Sequence, residues 1–358
     1  MSDGQNRFAR DGIPTMRDVA ERAGVAPATV SNVLSGRRQV RPELRERVLA
    51  AIAAINYRPN QLASSLRRMR SNTIGILVPD LTNPFFAALV HQLEDLAAEG
   101  GYQILLAGSN EDEQRQADRL RTLLMRRVDG LIIAPTRDET PAFLEQRAKL
   151  PPTVLMDRGF GQDDFDTVAV DNRDAGREGC RHLIALGHRD IAFVVTSVAL
   201  ANMRERMEGY LEALAESGFG DRTRVIAGGF SLDGCRSAIE QELRRAEPPS
   251  AIFAANYVAT LGAVKAIRGL DLDFPKEVSL LGFDDSDWMT VLRPYLSVVV
   301  QPVGVMADLA WELLRERLEN RVRPYRHVRL PCVLSVREST QRPRVAGSRT
   351  QTPARLLL

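Results

Sequence analysis

The sequence lacks the features that mark membrane, secreted and metal-binding proteins. No apolar run approaches the roughly 20 residues of a membrane-spanning helix, and the polar first residues contain no apolar stretch of the kind a signal peptide needs. Its three cysteines, Cys180, Cys235 and Cys332, are far apart and odd in number, which fits neither a disulfide framework nor a metal site. We therefore predict a cytoplasmic protein with reduced, buried thiols and no metal or cofactor.

Signatures of nucleotide-dependent enzymes are also missing. No GxGxxG follows a predicted strand, and no GxxxxGK[ST] occurs anywhere in the chain. Only four histidines are available, and no nucleophile–base arrangement stands out. The sequence therefore does not predict an enzyme, and no residue is assigned a catalytic role.

What the sequence does have is an uneven distribution of charge. Residues 1–70 contain thirteen arginines, no lysine and six acidic residues, a net charge of +7. Since the whole chain carries +2, the remainder carries −5. A basic N-terminal segment (residues 1–70, the head) followed by an acidic remainder (the body) is typical of a protein that contacts nucleic acid with one end. A solvated basic surface would give the same charge count.

The basic head contains the pattern of a helix-turn-helix. Thr15 can cap a first helix, Gly24 suits the tight turn that follows, and Pro27 suits the first position of a second helix. A third amphipathic helix is predicted at about 42–55. A helical hairpin in any core could share this pattern, but the small residue Ala20 lets two helices approach closely, as the motif requires.

From Asn72 onward the pattern changes to alternating strands and helices. This alternation predicts an α/β fold with parallel, doubly wound sheets, and the number of strands fits two lobes better than one sheet. The predicted strands are Thr73–Val78, Gln103–Ala107, Gly130–Ile133, Thr153–Met156, Thr167–Val170, Ile191–Val195, Arg224–Ala227, Ala251–Ala254, Val278–Leu281 and Ser297–Val300.

Polar and aromatic residues follow strand after strand in this body. Ligands of open α/β sheets bind at the carboxyl ends of strands, where amide and charged groups can match sugar hydroxyls and aromatic rings can cover the C–H face of a sugar. Any one of these residues could be an ordinary loop residue, but their recurrence predicts a binding cleft. The residues include Asn83, Phe85, Phe86, Asn110, Asp157, Arg158, Arg206, Phe230, Asn256, Asp284 and Gln301.

Three segments carry a resemblance to a known family. They read TMRDVAERAGVAPATVSNVLSG, NYRPNQLASSLRR and IGILVPDLTNPFF. They resemble the lactose-repressor/galactose-repressor (LacI/GalR) family of bacterial regulators, and the likeness extends from about Thr15 to about Glu338. It implies an N-terminal all-α DNA-binding domain followed by a two-lobed domain that is similar to the type I periplasmic sugar-binding proteins.

The resemblance implies roles for residues of the head. Pro27, Ala28 and Asn32 fall where the family reads base edges, and the Thr29 and Ser31 hydroxyls suit phosphate contacts. Residues 56–68 resemble the hinge helix, in which Leu66 matches the leucine that the family inserts into the minor groove. The predicted DNA-binding set is Thr15, Pro27, Ala28, Thr29, Ser31, Asn32, Asn60, Leu66 and Arg67.

The same resemblance places the eleven cleft residues named above where ribose-type binding proteins hold a monosaccharide. One departure is Tyr257, which stands where relatives usually carry an aspartate.

The predicted domains are a disordered N-terminus (1–14), the helix-turn-helix domain (15–58), the hinge (59–71), the effector-binding and dimerisation domain (72–340) and a disordered tail (341–358). Within 72–340, the first lobe is predicted at 72–159 and 291–321, and the second at 160–290 and 322–340.

The resulting functional prediction is a sequence-specific repressor of carbohydrate-utilisation genes. It would bind a palindromic operator as a homodimer, under the allosteric control of a sugar-type effector. A periplasmic sugar carrier would share the body but have no use for residues 15–70. Control by a phosphoprotein or by a small molecule other than a sugar remains an alternative within the regulators.

Overall fold

The computed structural model describes residues 14–35, 39–57, 71–136, 149–159, 164–291 and 293–344. The chain forms two compact units, Met1–Ser71 and Asn72–Leu358. Their division falls where the sequence changes to strand–helix alternation. The predicted N-terminal segment 1–14 and hinge 59–71 lie almost wholly outside the described residues.

The described residues of the smaller unit form three helices: α1 (Met16–Ala23), α2 (Pro27–Ser35) and α3 (Pro42–Ala54). Gly24 ends α1 in the left-handed conformation, with φ of 61°, which is the geometry that the sequence pattern required there. The helices bury a small shared core, so the predicted helix-turn-helix is confirmed. Its fully buried members are Val19, Ala20, Ala23, Val30, Val48 and Ala51.

The part of the larger unit that the structure describes has two six-stranded sheets. The first, in the order β11-β5-β4-β3-β1-β2, is parallel throughout. It consists of β1 (Thr73–Val78), β2 (Gln103–Gly108), β3 (Gly130–Ile133), β4 (Thr153–Met156), β5 (Asp166–Val170) and β11 (His327–Leu330).

The second sheet has the order β12-β10-β9-β8-β6-β7, and only β12 is antiparallel to its neighbour among these strands. It consists of β6 (Ile191–Val195), β7 (Arg224–Ala227), β8 (Ala251–Ala254), β9 (Ser279–Phe283), β10 (Ser297–Val300) and β12 (Val333–Ser335). The predicted doubly wound architecture is therefore confirmed.

Helices cover both faces of each sheet, as continuous apolar strands require. The first lobe has α4 (Pro84–Glu99) and α10 (Val303–Glu319) on one face and α5 (Glu113–Met125) on the other. The second lobe has α6 (Asn172–Ala185) and α7 (Ala201–Glu216) on one face, with α8 (Leu232–Leu243) and α9 (Tyr257–Gly269) opposite. None of the helices in the described part of the chain is long and apolar enough to cross a membrane.

The lobe boundaries drawn from the sequence need correction. Strands β5 and β11 lie in the first sheet, although the predicted second lobe, 160–290 and 322–340, included both. Strand β10 lies in the second sheet, although 291–321 was assigned to the first lobe. The reason is packing, because Val168 and Val170 of β5 belong to the first apolar core and Val298 of β10 to a core of the second lobe.

A buried carboxylate holds β11 against the first sheet. Asp166, at the start of β5, is fully buried and accepts hydrogen bonds from Arg317 Nε (2.9 Å), Arg323 Nη1 (3.0 Å) and the backbone N–H of Arg326 (2.9 Å). These bonds join the end of α10, the loop after it and the first residue before β11. No local sequence pattern could have predicted this strand's position.

Helices α6 and α7 approach each other at two glycines. A Cβ atom on Gly176 would lie 2.0 Å from the carbonyl oxygen of Arg206, and one on Gly209 would lie 1.9 Å from that of Arg173. Real Cβ atoms do not approach backbone oxygens so closely, so only glycine allows this packing. The spacing of α7 from α6 therefore depends on both positions.

We predict opposite effects for alanine at two helical glycines. Gly209→Ala should lower the free energy of unfolding by about 1–3 kcal/mol, because the helices must separate. Gly304→Ala in α10, where a Cβ would meet nothing within 4 Å, should raise it by up to about 1 kcal/mol. Urea unfolding of both variants checks this, and equal stability would contradict the close approach.

His188, just before β6, is a buried residue held by hydrogen bonds. Its Nδ1 lies 2.8 Å from Ser250 Oγ, and its Nε2 lies 2.9 Å from the carbonyl oxygen of Gln341. Gln341 also donates its backbone N–H to Ser279 Oγ. The predicted disordered tail, 341–358, therefore begins too early, because Gln341 is held by these bonds.

Burial lowers the pKa of His188 from its ordinary value of 6.5, and the neighbouring His182 lowers it further, while the Gln341 carbonyl raises it. Below pH 6.5 the unfolded chain binds a proton that the folded chain resists, so the free energy of unfolding should fall as the pH falls. In urea unfolding between pH 7 and 5, the free energy of unfolding of His188→Gln should depend less steeply on pH than that of the unaltered protein. Identical slopes would mean that another group is responsible.

Candidate functional site

The second helix of the smaller unit presents part of its first turn to solvent. Pro27 and Ala28 are exposed, while Thr29, Ser31 and Asn32 are half-buried. A recognition helix contacts base edges with its first residues, so these positions suit the predicted role. Because Pro27 and Ala28 offer no side-chain donor or acceptor, their contacts to bases would be apolar.

The first helix is held at both ends by side chains. Thr15 caps its start, since its hydroxyl oxygen accepts from the Asp18 backbone N–H (3.4 Å). In return, the Asp18 carboxylate accepts from the Thr15 backbone N–H (2.7 Å) and hydroxyl (2.8 Å). These hydrogen bonds lower the pKa of Asp18. At the other end, Arg47 of α3 donates to the carbonyl oxygen of Ala23 (2.6 Å). One of the thirteen arginines therefore has a structural contact that its sequence position did not reveal.

The remaining predicted DNA-binding residues, Asn60, Leu66 and Arg67, lie outside the described residues. Their proposed roles depend on the family alone.

In the larger unit, two aspartates follow buried strands at the edge where the lobes meet. Asp157 follows β4 of the first lobe and Asp284 follows β9 of the second, and both are buried. Each has a left-handed backbone, with φ of 62° and 66°. This conformation is uncommon for a residue with a side chain and is often found at functional positions.

A buried arginine interacts electrostatically with both carboxylates. Arg206 of α7 is 1 % exposed. It donates from Nε to Asn172 Oδ1 (2.8 Å) and from Nη1 to the carbonyl oxygen of Ala255 (2.6 Å), and its guanidinium stacks 3.6 Å from the centre of the Phe283 ring. Burial lowers the pKa of Arg206, whereas Asp157 and Asp284 raise it.

Two atoms of this cluster have no partner among the described residues. They are Arg206 Nη2, a donor, and Gln301 Oε1, an acceptor, and both are buried. Gln301 donates from Nε2 to Asp284 Oδ1 at 2.7 Å. Burial raises the pKa of Asp284, while Arg206 and the Gln301 hydrogen bond lower it. Unpaired buried polar groups are costly, so such groups point to a ligand that pairs with them.

Arg158 is occupied by protein groups of the first lobe. Its Nη1 and Nη2 each donate at 2.8 Å to Glu111, one to each carboxylate oxygen, and Nη1 also donates to the carbonyls of Pro135 and Thr136. Its Nε lies 3.4 Å from Asp157. Arg158 thus holds the loops around Asp157 in place, and its contact with an effector stays a prediction.

The other predicted cleft residues lie at the same edge of the two sheets. Asn83 and Asn256 cap helices α4 and α9, each accepting a backbone N–H, and Asn256 also donates to Thr196 Oγ1 (3.2 Å). Phe85 and Phe86 are buried in an edge-to-face pair with ring centres 4.9 Å apart. Asn110 and Phe230 are exposed.

Sequence reasoning missed three polar residues of the cluster. Asn202 donates to Asp157 Oδ2 (3.1 Å), joining α7 to the first lobe. Asn172 holds Arg206 Nε, and Glu205 accepts from Asn172 Nδ2 (3.1 Å). Asn202 lies four residues before Arg206 on the same helix, and that spacing is the signal that could have found it. Glu205 directly precedes Arg206, and no spacing rule points to it.

Comparison with known families and proteins agrees with this architecture. Residues 15–60 match the bacterial regulatory proteins of the lacI family, and residues 71–303 match the periplasmic binding proteins and sugar-binding domain of the LacI family. The chain is 32% identical to catabolite control protein A of Priestia megaterium over 330 residues, covering 91% of this chain and 99% of that protein.

The ribose operon repressor of Escherichia coli (strain K12) is also 32% identical, over 91% of this chain and 99% of its own. Among solved structures, the lac repressor dimer bound to operator and the anti-inducer ONPF is similar, with a TM-score of 0.83 and 26% identity over 92% of this chain and 100% of that one. These relatives are regulators of transcription and not enzymes. The chain therefore belongs to the LacI family of bacterial transcriptional regulators, with a helix-turn-helix that binds DNA and a two-lobed domain that binds an effector.

Proposed function

We propose that this protein represses carbohydrate-utilisation genes from the cytoplasm, and that an uncharged monosaccharide in the interlobe cleft controls it. It binds a palindromic operator as a homodimer, each head contacting one half-site. The observation that carries the proposal is the buried Arg206, set between Asp157 and Asp284 with a donor still unpaired. The similarity to a ribose operon repressor supports a sugar.

The charges of the cleft favour a neutral ligand. Arg158 and Glu111 neutralise each other. Arg206 then faces two carboxylates, which leaves no uncompensated positive charge in the group. A sugar acid or sugar phosphate would bring negative charge into a buried site that cannot balance it, at a high desolvation cost. Sugar hydroxyls, in contrast, can donate to Asp157 and Asp284 and accept from Arg206.

In this proposal the cleft residues divide by chemistry. Asp157, Arg206, Asn256, Asp284 and Gln301 pair with hydroxyls, joined by Asn83 and Asn110 from the first lobe. Phe85, Phe86 and Phe230 supply apolar walls, and Arg158 orients Asp157.

Effector binding can be tested by a thermal-shift screen of the full chain. Neutral pentoses and hexoses are compared with sugar acids and sugar phosphates. We expect a neutral monosaccharide to raise the Tm by mass action and the anionic sugars to leave it unchanged. A shift with an anion alone would contradict the charge argument, and no shift with any sugar would favour a phosphoprotein or another metabolite as the effector.

Asp284→Asn should remove the shift caused by the effector, because an NH2 donor replaces one of the two carboxylate oxygens that can accept from Gln301 and from a hydroxyl of the effector. Asp285→Asn is a matched control at the next position, where the carboxylate instead pairs with Arg337. It should keep the response. If both variants respond like the unaltered protein, Asp284 does not contact the effector.

For DNA, Leu66→Ala should weaken binding to a palindromic operator selected from a random library by at least about tenfold, because the minor-groove wedge is lost. Binding to non-specific DNA, which depends mainly on phosphate contacts, should change little. Fluorescence anisotropy with both DNAs measures the two affinities. An equal loss on both would exclude the wedge.

A further inference from the structure

Helix α7 contacts the first lobe through an ion pair beside the effector cleft. Glu205 directly precedes Arg206, and its Oε1 lies 3.1 Å from Arg329 Nη2. Arg329 belongs to β11, where it pairs with Ala169 of β5 in the first sheet. The helix itself packs on the core of the second lobe. The Glu205–Arg329 pair therefore joins the two lobes.

The same carboxylate is connected to Arg206. The second oxygen of Glu205, Oε2, accepts from Asn172 Nδ2 at 3.1 Å, and Asn172 Oδ1 accepts from Arg206 Nε at 2.8 Å. Asn172 follows the point where the chain passes from β5 into α6. A continuous line of contacts thus runs from the first-lobe strand through Glu205 and Asn172 to Arg206.

We propose that Glu205 and Arg329 form an interlobe latch, which favours the closed arrangement of the lobes and positions Arg206 in the cleft. Neither residue needs to contact the effector. The latch follows from the contacts of the effector domain alone, and its influence on gene control rests on the proposed function. Release of the latch opens the cleft and reduces the fraction of protein that can bind the effector tightly.

The exposure of the pair sets the expected size of the effect. The Glu205 side chain is 30% exposed and that of Arg329 is 59% exposed. Pairs of this kind are weak and are screened by salt, so the closed state should be favoured by about two- to fivefold. A latch of this strength shifts the equilibrium toward the closed arrangement and still allows the lobes to open.

Cys332 provides a built-in reporter of lobe opening. It is half-buried between β11 and β12 and packs against the cores of both lobes. Burial raises its pKa to about 12, so alkylation should be slow while the lobes enclose the thiol and faster when they separate. Cys180 and Cys235 are fully buried within the second lobe. Iodoacetamide, an uncharged reagent, is reacted with the effector-free full-length protein, and Cys332 modification is followed by peptide mass spectrometry.

Glu205→Gln keeps an oxygen for Asn172 but removes the charge, and Arg329→Gln removes the partner. Each should speed Cys332 alkylation about two- to fivefold, and the double variant should be no faster than either. Arg329→Lys should restore the slow rate. Added NaCl should accelerate alkylation of the unaltered protein but not of the Gln variants.

Arg181→Gln is the matched control, since it breaks the Arg181–Glu216 pair (2.7 Å) between α6 and α7 within the second lobe. It should leave the alkylation rate unchanged. Unchanged rates in the Glu205 and Arg329 variants, additive rates in the double variant, or equal acceleration in Arg181→Gln would each overturn the latch. Because no sugar is added, failure here is distinct from failure of the sugar screen.

Discussion

The effector domain depends on how it holds one buried positive charge. A guanidinium that is 1 % exposed has lost its hydration, and such a loss is tolerated only where other groups replace water. For Arg206 the replacements come from several elements: the Asn172 amide, the Ala255 carbonyl, the Phe283 ring and the carboxylates of Asp157 and Asp284. Since Asp157 follows a strand of the first lobe and Asp284 one of the second, the environment of Arg206 is complete only when the lobes are close.

The backbone beneath Arg206 is equally constrained. Gly176 of α6 lies against the carbonyl oxygen of Arg206 itself, so the packing of two helices sets the height of the guanidinium in the cleft. The residues that link the lobes, Asn202 and Glu205, lie within one turn of Arg206 on the same helix. In the proposed function, helix α7 therefore combines recognition of an effector through Arg206 with the contacts that join the two lobes.

The chain crosses between the lobes three times, and these crossings connect the contacts to both sheets. The chain passes from the first lobe to the second after β5, returns before α10, and passes over again between β11 and β12. Asp166 and its arginines hold β11 against the first sheet. Because Arg329 is part of β11, its contact with Glu205 involves the first lobe as a whole and not a separate loop. In a regulator of this family, relative movement of the lobes is the change that an effector can bias, because it binds one arrangement more tightly.

Local sequence determined much of this protein. The Thr15 cap, Gly24 turn and Pro27 start define the helix-turn-helix because each acts on its own neighbours. Strand–helix alternation was enough to predict parallel sheets. The residues that follow the strands included Asp157, Arg206 and Asp284 as predicted site residues, and the structure places these three close enough to interact. Only the tertiary structure decided which sheet received β5, β10 and β11, that Arg158 is occupied by Glu111, and that Asn172, Asn202 and Glu205 join the cluster. Each of those outcomes depends on contacts between residues that are far apart in the chain. The local sequence around either residue does not indicate which distant residue it will contact.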